Sequence, residues 1–316
     1  MTVNRIELSI LHLRKSPIKP FLKIKPFIGQ TIFSSNFPYL NIYKMKNLII
    51  IVCIIFIGLK LSAQHSLDLL WQTDSTLKLP ESALYDAKSK ILYVSNIGDF
   101  QKESLGFISK ISLDGKMIKK EWVTGLTQPK GLGRYKNLLY AAEQKTVAVI
   151  DINTATIIQR IPVEGAIFLN DITVDSKGIV YVSDTKTNKV HRIENGKASV
   201  YLENMKDANG LLAIGNDLYV LTGTTMQKAD ENKKLTTIAE GIEGGADGIE
   251  MVKEHEFIVT GWEGVIYYIK DDGTKQLLID TRKDKTNTAD IGYDPTNKIV
   301  YAPAMMKNML VAYKLK

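Results

Sequence analysis

A short run of apolar, aromatic and small residues recurs six times along residues 64–316. Each copy follows a short apolar segment by about ten residues and precedes a segment in which apolar and polar positions alternate. Alternation of this kind predicts β-strands, because successive strand side chains point to opposite faces. The central aromatic residues fall 38 to 47 residues apart: Tyr93, Tyr140, Tyr181, Tyr219, Phe257 and Tyr301.

Four short strands in each repeat of about 42 residues would account for residues 64–316. This predicts an all-β chain, namely a six-bladed β-propeller with four-stranded blades. Hairpin turns are indicated by Asp114-Gly115, Asn195-Gly196 and Asp272-Gly273. A β-sandwich with chance similarity between strands is the alternative, but six copies in register favour the propeller.

The segment from Leu67 to Trp71 precedes the first repeat. We expect it to supply the outer strand of the last blade, because that pairing closes the ring and covers an exposed sheet edge.

Residues 45–63 have the pattern of a secretory signal peptide. Met45-Lys46 gives a basic start, Leu48 to Leu59 are all apolar or glycine, and Ala63 precedes a cut before Gln64. The run is short for a membrane span, which needs about 20 apolar residues. We therefore predict a periplasmic or extracellular protein without a stable membrane span after cleavage; an uncleaved anchor is the alternative.

Residues 1–44 are basic and contain four scattered prolines. They are interpreted either as a non-native extension upstream of a start at Met45 or as a long leader. The propeller is assigned to residues 64–316.

Charge and composition exclude several classes of function. The chain of 316 residues has a formal charge of +7, but its basic excess lies in residues 1–63, so nucleic acid is excluded as a partner of the main domain. The single cysteine, Cys53, excludes an intramolecular disulfide. No glycine-rich phosphate loop leads from a strand into a helix. We expect a monomer.

Six polar positions are predicted to converge on the propeller axis, because the first strand of each blade lines the channel. Alignment of the repeats gives Glu81, Lys130, Asn170, Asn209, Asp247 and Asp290. Carboxylate and amide oxygens suit a hard cation, Ca²⁺ above all, with Mg²⁺ or Mn²⁺ as substitutes. Carboxylates crowded at one mouth also repel each other unless a cation neutralises them. The alternative is that these residues individually cap turns in solvent.

Lys130 complicates this interpretation, because an ammonium close to a metal ion is unfavourable unless it points elsewhere. It would pair with Asp290 or Glu81, or bind a substrate oxyanion. Lys130 and Asp290 are therefore left outside the predicted metal set.

Four local motifs resemble those of the gluconolactonase, senescence-marker-protein (regucalcin) and luciferin-regenerating-enzyme-like family. They are Pro80-Glu81, Asn170-Asp171, Asn209-Gly210 and Asp247-Gly248, and the resemblance extends over residues 80–316. It implies a calcium-type ion held by Glu81, Asn170, Asn209 and Asp247, hydrolysis of a lactone or related ester, and Asp247 as general base. The chain departs from the family pattern at Ser82, Ile172 and Phe168.

The sequence thus favours an exported, metal-dependent hydrolase of the lactonase type acting on a small lactone or ester. Phe168 and Trp262 are expected to form an apolar wall near the channel mouth. Lys130, Asp171 and Asp290 are further candidate channel or substrate contacts. The alternative is a non-catalytic propeller that binds a ligand or partner protein, with the ion serving stability.

Overall fold

The computed structural model describes residues 64–102 and 105–316. Their strands form six antiparallel sheets of four strands each, so the predicted six-bladed propeller is confirmed. The described residues contain no α-helix, only the 3₁₀ turns Arg282–Asp284 and Met305–Lys307. None of their helical segments has the length and apolar character needed to cross a membrane. The predicted leader, residues 1–44, and signal peptide, residues 45–63, lie outside the described residues.

The first three blades follow each other directly along the chain, each running from its inner to its outer strand. Blade one comprises β2 (Pro80–Asp86), β3 (Ile91–Asn96), β4 (Gly106–Ser112) and β5 (Met117–Leu126). Blade two comprises β6 (Leu132–Tyr135), β7 (Leu138–Ala142), β8 (Thr146–Asp151) and β9 (Thr156–Pro162). Blade three comprises β10 (Leu169–Val174), β11 (Val180–Asp184), β12 (Lys189–Glu194) and β13 (Lys197–Leu202).

The last three blades repeat this order, except that the sixth takes its outer strand from the front of the described chain. Blade four comprises β14 (Ala208–Ile214), β15 (Asp217–Thr222), β16 (Thr225–Ala229) and β17 (Leu235–Ala239). Blade five comprises β18 (Ala246–Lys253), β19 (Glu256–Gly261), β20 (Val265–Lys270) and β21 (Lys275–Asp280). Blade six comprises β22 (Gly292–Asp294), β23 (Ile299–Ala304), β24 (Met309–Leu315) and β1 (Leu67–Gln72).

The ring closes as the sequence predicts. Strand β1 pairs antiparallel with β24, with Leu67 opposite Leu315 and Gln72 opposite Val311. Backbone hydrogen bonds between Ser66 and Lys316 extend the pairing beyond the strands. This seam covers the edge of β24, which would otherwise present unpaired backbone groups to solvent.

Apolar side chains fill each space between neighbouring blades. One cluster joins blades two and three around Tyr140 and Leu169, and another joins blades four and five around Tyr219 and Phe257. The four remaining interfaces between neighbouring blades have equivalent clusters. The core is therefore a ring of six inter-blade clusters, which leaves the axis free for polar side chains.

The recurring aromatic residues occupy the second strands of their blades, as the repeat pattern predicts, but blade five is displaced by one residue. Tyr93 faces Leu84 on the inner strand, whereas the residue at the equivalent position of blade five is Ile258, opposite Glu250. Phe257 lies one position earlier and is fully buried. The sequence alignment of this blade on Phe257 was therefore wrong by one residue.

Candidate functional site

A cavity of about 220 Å³ opens at the end of the channel where the inner strands begin. Its polar floor consists of Glu81, Lys130, Asn170, Asn209 and Asp247. Each of these comes from a different blade, so the repeat geometry converges five side chains on one space. The structure thus brings together the four predicted metal ligands and Lys130; their role as ligands stays a prediction.

A backbone irregularity aims the four predicted ligands at the axis. In blade one, Pro80 pairs with Asn96 and Ala83 pairs with Val94, so Glu81 lies in a β-bulge that holds one extra residue. The same shift in register occurs at Asn170, Asn209 and Asp247. Bulges redirect side chains and bend the strand, which explains how residues near the strand starts reach the channel.

Hydroxyl groups on the second strands hold three of these bulges. Ser95, Ser183 and Thr260 each accept a hydrogen bond from the backbone N–H that follows the axial residue, at 2.8–2.9 Å. Asn96 and Asp184 directly follow Ser95 and Ser183. Their side chains accept hydrogen bonds from backbone N–H groups in the loops that lead into the inner strands. The recurring run of apolar, aromatic and small residues predicted the second strands, but it did not predict that their hydroxyl groups would hydrogen-bond to the bulges.

Asn209 and Asp247 form a direct pair across blades four and five. Asn209 Nδ2 donates to Asp247 Oδ1 at 2.9 Å. Burial raises the pKa of Asp247 to about 8, and the nearby Asp290 carboxyl adds to the rise, while the Asn209 hydrogen bond opposes it. Because the amide uses its nitrogen here, its oxygen is left for another partner.

Asn170 is oriented in the same way by a hydroxyl that sequence reasoning missed. Its Nδ2 donates to Thr185 Oγ1 at 3.1 Å, and Thr185 Oγ1 in turn donates to the carbonyl of Ala208 at 2.7 Å. Thr185 therefore links blades three and four next to the floor residues Asn170 and Asn209. Both floor amides turn their nitrogen towards the protein and keep their oxygen for the cavity.

Glu81 brings a carboxylate oxygen without a partner. The residue is only 5% exposed, and Oε2 makes no hydrogen bond to the described residues. Burial raises the pKa of Glu81 well above its usual range, and Asp247 and Asp290 raise it further, whereas Lys130 lowers it. A buried acceptor of this kind is costly unless a ligand satisfies it.

Lys130 points towards blade three. Its ammonium lies 4.2 Å from the centre of the Phe168 ring and donates to the carbonyl of Leu169 at 3.2 Å. Burial lowers the Lys130 pKa, and the Glu81 and Asp184 carboxylates oppose that shift. The cation–π contact and the carbonyl hold this charge to one side of the floor, so the predicted conflict with a cation is reduced.

The sixth axial position is occupied by alanine. Gly292 pairs with Tyr301 as Leu84 pairs with Tyr93 in blade one. Counting back three residues from Leu84 gives Glu81, and counting back three from Gly292 gives Ala289, so Asp290 corresponds to Ser82. The N–H of Ala289 donates to Pro303 as that of Lys130 donates to Ala142, which confirms this register. The alignment that placed Asp290 among the axial residues was wrong by one position, because its strand is short and begins later.

Asp290 and Asp171 instead meet below the floor. These residues occupy equivalent positions in opposite blades, and both line a cavity of about 370 Å³ at the other end of the channel. Their carboxyls are close enough for each to affect the pKa of the other. Asp171 accepts the backbone N–H of Leu211 at 2.6 Å, and Asp290 accepts Ser82 Oγ at 2.5 Å. Burial raises both pKa values, that of Asp290 to about 7.

Five apolar side chains complete the upper cavity. Phe168 and Trp262 line it, as the sequence predicts, together with Ile97, Phe100 and Met305, which sequence reasoning missed. Ile97 and Met305 directly follow second strands, at the position that Trp262 occupies in blade five, so the repeat offered a signal for these two. Phe100 lies further along its loop, where the repeat gives none. The cavity therefore combines a polar floor with an apolar wall.

The donor set of the floor fits a hard divalent cation. Two carboxylate and two amide side chains line one cavity, and one carboxylate oxygen, Glu81 Oε2, has no partner among the described residues. Within the described residues, no three or more His, Cys, Asp or Glu side chains are grouped to hold a metal. A cation here would thus depend on the amides of Asn170 and Asn209 as well as on Glu81 and Asp247.

Fold and site together define a six-bladed β-propeller with a ligand-sized, polar-floored cavity at one end of its channel. Comparison of the sequence with protein-family models and with curated proteins gives no match.

Solved structures share the fold. A structure described as streptogramin B lyase aligns with a TM-score of 0.58 and 14% identity, over 80% of this chain and 97% of that one. The selenomethionine-substituted virginiamycin B lyase from Staphylococcus aureus aligns with a TM-score of 0.55 and 15% identity, over 76% of this chain and 82% of that one. At these identities, the likeness establishes the architecture.

Proposed function

We propose that the chain is an exported hydrolase that depends on a divalent cation, Ca²⁺ above all, and opens a small lactone or related ester in the upper cavity. The observation that carries the proposal is that Glu81, Asn170, Asn209 and Asp247 line one cavity and that Glu81 Oε2 is buried without a partner among the described residues. The buried carboxylates repel one another, and a cation would offset that repulsion.

A cation held by these four residues would supply an electrophile for the substrate carbonyl and lower the pKa of water. The side chains of the floor perform the remaining steps. Asn209 holds Asp247 through Oδ1, which fixes the orientation of the carboxylate in the cavity.

Asp247 is the candidate general base. Its carboxylate takes a proton from the attacking water, whose oxygen bonds to the carbonyl carbon. The ring C–O bond then breaks, and the leaving alkoxide receives the proton, so that one water is added and a hydroxy acid is formed. General base catalysis of this kind contributes on the order of 10² to 10⁴ in rate.

The first experiment measures ion binding. Calcium is titrated into protein treated with chelator, and the melting temperature is followed for the wild type, Glu81→Gln and an exposed control, Asp272→Asn. Calcium should raise the melting temperature of the wild type and the control, but raise that of Glu81→Gln much less. An equal response in all three would contradict the proposed metal site.

The second experiment measures chemistry. A set of lactones and aryl esters is followed by pH-stat, and Asp247→Asn should lose about 10² to 10⁴ in kcat/KM. Product mass separates hydrolysis, which adds water, from the lyase reaction that the names of the structural neighbours suggest. Calcium binding without turnover of any substrate would instead favour a non-catalytic propeller with a structural ion.

A further inference from the structure

Four of the five apolar side chains of the cavity wall lie on one side of the channel, and Phe168 lies across from them. Trp262 follows the second strand of blade five, Met305 that of blade six, and Ile97 and Phe100 that of blade one. Blades five, six and one are consecutive around the ring, so these four side chains form a continuous surface, here named the apolar sector.

The floor beneath this sector lacks a polar side chain only at blade six, between Glu81 of blade one and Asp247 of blade five. Blade six presents Ala289 at its axial position, where each of the other five blades presents a charged or amide side chain. The opposite side carries Lys130 and Asn170, with the Lys130 ammonium over Phe168. A ligand in the cavity therefore meets polar groups at the floor and, on the side of blades five, six and one, hydrocarbon along the wall.

The rim of the apolar sector remains open to water. Phe100 is 56% exposed and Trp262 is 38% exposed, whereas Ile97 and Met305 are each 2% exposed. A ligand that covers Phe100 and Trp262 would remove apolar surface from water on both partners, which is favourable. Hydroxyl groups placed against Ile97, Phe100 and Met305 would lose their hydrogen bonds to water without replacement.

We propose that the substrate carries an apolar tail, aliphatic or aromatic, which lies in the apolar sector while its ester or lactone group faces the polar floor. This inference rests on the proposed function, and it distinguishes such a substrate from a polyhydroxylated sugar lactone. Trp262 and Phe100 are the residues that would set the preference for tail length.

The test compares four lactones at saturating calcium: γ-butyrolactone, γ-valerolactone, γ-nonalactone and D-glucono-1,5-lactone. The methyl tail of γ-valerolactone and the pentyl tail of γ-nonalactone differ by four methylenes. Each buried methylene should raise kcat/KM about fourfold, so γ-nonalactone should exceed γ-valerolactone by on the order of 100-fold. Glucono-1,5-lactone should be the poorest substrate of the four.

Trp262→Ala and Phe100→Ala test the location of the tail. Each should lower the γ-nonalactone to γ-valerolactone ratio by about tenfold. Leu277→Ala, an exposed apolar side chain on the outer strand β21, is the matched control and should leave the ratio unchanged. An unaltered ratio in both aromatic variants, a ratio near one in the wild type, or preference for glucono-1,5-lactone would overturn the inference.

A binding measurement separates this inference from the proposed reaction. If no lactone is hydrolysed, the reaction is rejected, and calorimetric titration of intact γ-nonalactone and γ-valerolactone into the calcium-loaded protein decides the inference. Tighter binding of γ-nonalactone that is weakened in Trp262→Ala supports the apolar sector as the tail site. Equal or undetectable binding of the two lactones rejects it.

Discussion

Buried carboxyl groups dominate the channel at the scale of single residues. Glu81 and Asp247 lie in the upper cavity, and Asp171 and Asp290 lie below them, all four at most 8% exposed. Burial raises the pKa values of all four, and neighbouring carboxyls add to the rise at Glu81, Asp171 and Asp247. At neutral pH a cation-free channel therefore retains protons that the unfolded chain would release. Proton binding and cation binding should therefore compete in the upper cavity.

Glu250 provides a clean test of these electrostatics, because it lines the lower cavity away from the predicted ligands. Burial raises its pKa to about 8, and the Asp290 carboxyl contributes. A raised pKa means that the folded state holds the proton more tightly, so its stabilising contribution is complete below about pH 4.5 and is lost as pH rises towards 8.

We expect Glu250→Gln to flatten this part of the pH profile. Without divalent cations, the free energy of unfolding of the variant should equal that of the wild type at pH 4 and exceed it by about 1 to 2 kcal/mol at pH 8. Each pKa unit corresponds to about 1.4 kcal/mol, and the value is reduced because the side chain retains some contact with water. Urea denaturation at several pH values measures this. Glu231→Gln, on an exposed turn, is the control, and parallel profiles for wild type and Glu250→Gln would contradict the assignment.

Thr185 tests whether amide orientation matters in the floor. Thr185→Val removes the hydroxyl between Asn170 and the Ala208 carbonyl, and should cost about 1 to 2 kcal/mol of unfolding free energy and weaken calcium binding several-fold. Thr185→Ser, which keeps the hydroxyl, should restore both quantities. A calcium affinity that is the same in the valine and serine variants would show that Asn170 needs no such support.

At the scale of elements, the inner strands approach each other so closely that some positions admit only small side chains. A Cβ added to Gly131 would lie 2.5 Å from Asp171 Cα and 2.6 Å from the nitrogen of Ile172 on the next blade. A Cβ on Gly248 would similarly meet Asp290, at 2.8 Å from its Cα. These glycines leave room for the two carboxyls that meet below the floor.

Gly131→Ala should therefore force blades two and three apart. We expect a loss of about 1 to 3 kcal/mol, as for overpacking elsewhere, and a wider lower channel. Gly125→Ala is the comparison, because its Cβ would meet nothing within 4 Å and only its φ of 78° opposes the change. Thermal denaturation of both variants decides this, and a smaller loss for Gly131→Ala than for Gly125→Ala would contradict the packing argument.

The repeat pattern was sufficient to predict the strands, the blade number and the seam, because all of these depend on local alternation and turn chemistry. It was insufficient for register within a blade. In blade five, the pattern assigned Phe257 to the repeat position that Ile258 occupies. In blade six, it assigned Asp290 to the axial position that Ala289 occupies. A strand bulge or a late strand start shifts the register by one residue without changing the hydrophobic pattern.

The site was predictable where repeat symmetry determines it. Glu81, Asn170, Asn209 and Asp247 share one bulged position and so could be found by alignment. The hydroxyl of Thr185 and the wall residues Ile97, Phe100 and Met305 lie in connections that differ between blades. Ile97, Thr185 and Met305 each directly follow a second strand, so their position recurs, but residue type varies there and the repeat does not show which side chains reach the cavity.

The ring as a whole depends on strand β1. Removing residues 64–72 would leave β24 with an unpaired edge and expose Leu310 and the cluster between blades six and one. We expect such a chain to melt at a lower temperature and to associate through the open edge. Melting curves and light scattering measure both effects; an equally stable, monodisperse truncated chain would show that the ring stays closed without β1.

The pairing of β1 with β24 also dictates an order of events in the cell. Strand β24 is synthesised after all the other described strands. Residues Leu67–Gln72 therefore have no partner strand until β24 has been made. The ring therefore closes only after the strands of all six blades have been made, so the five complete blades must form before the seam can.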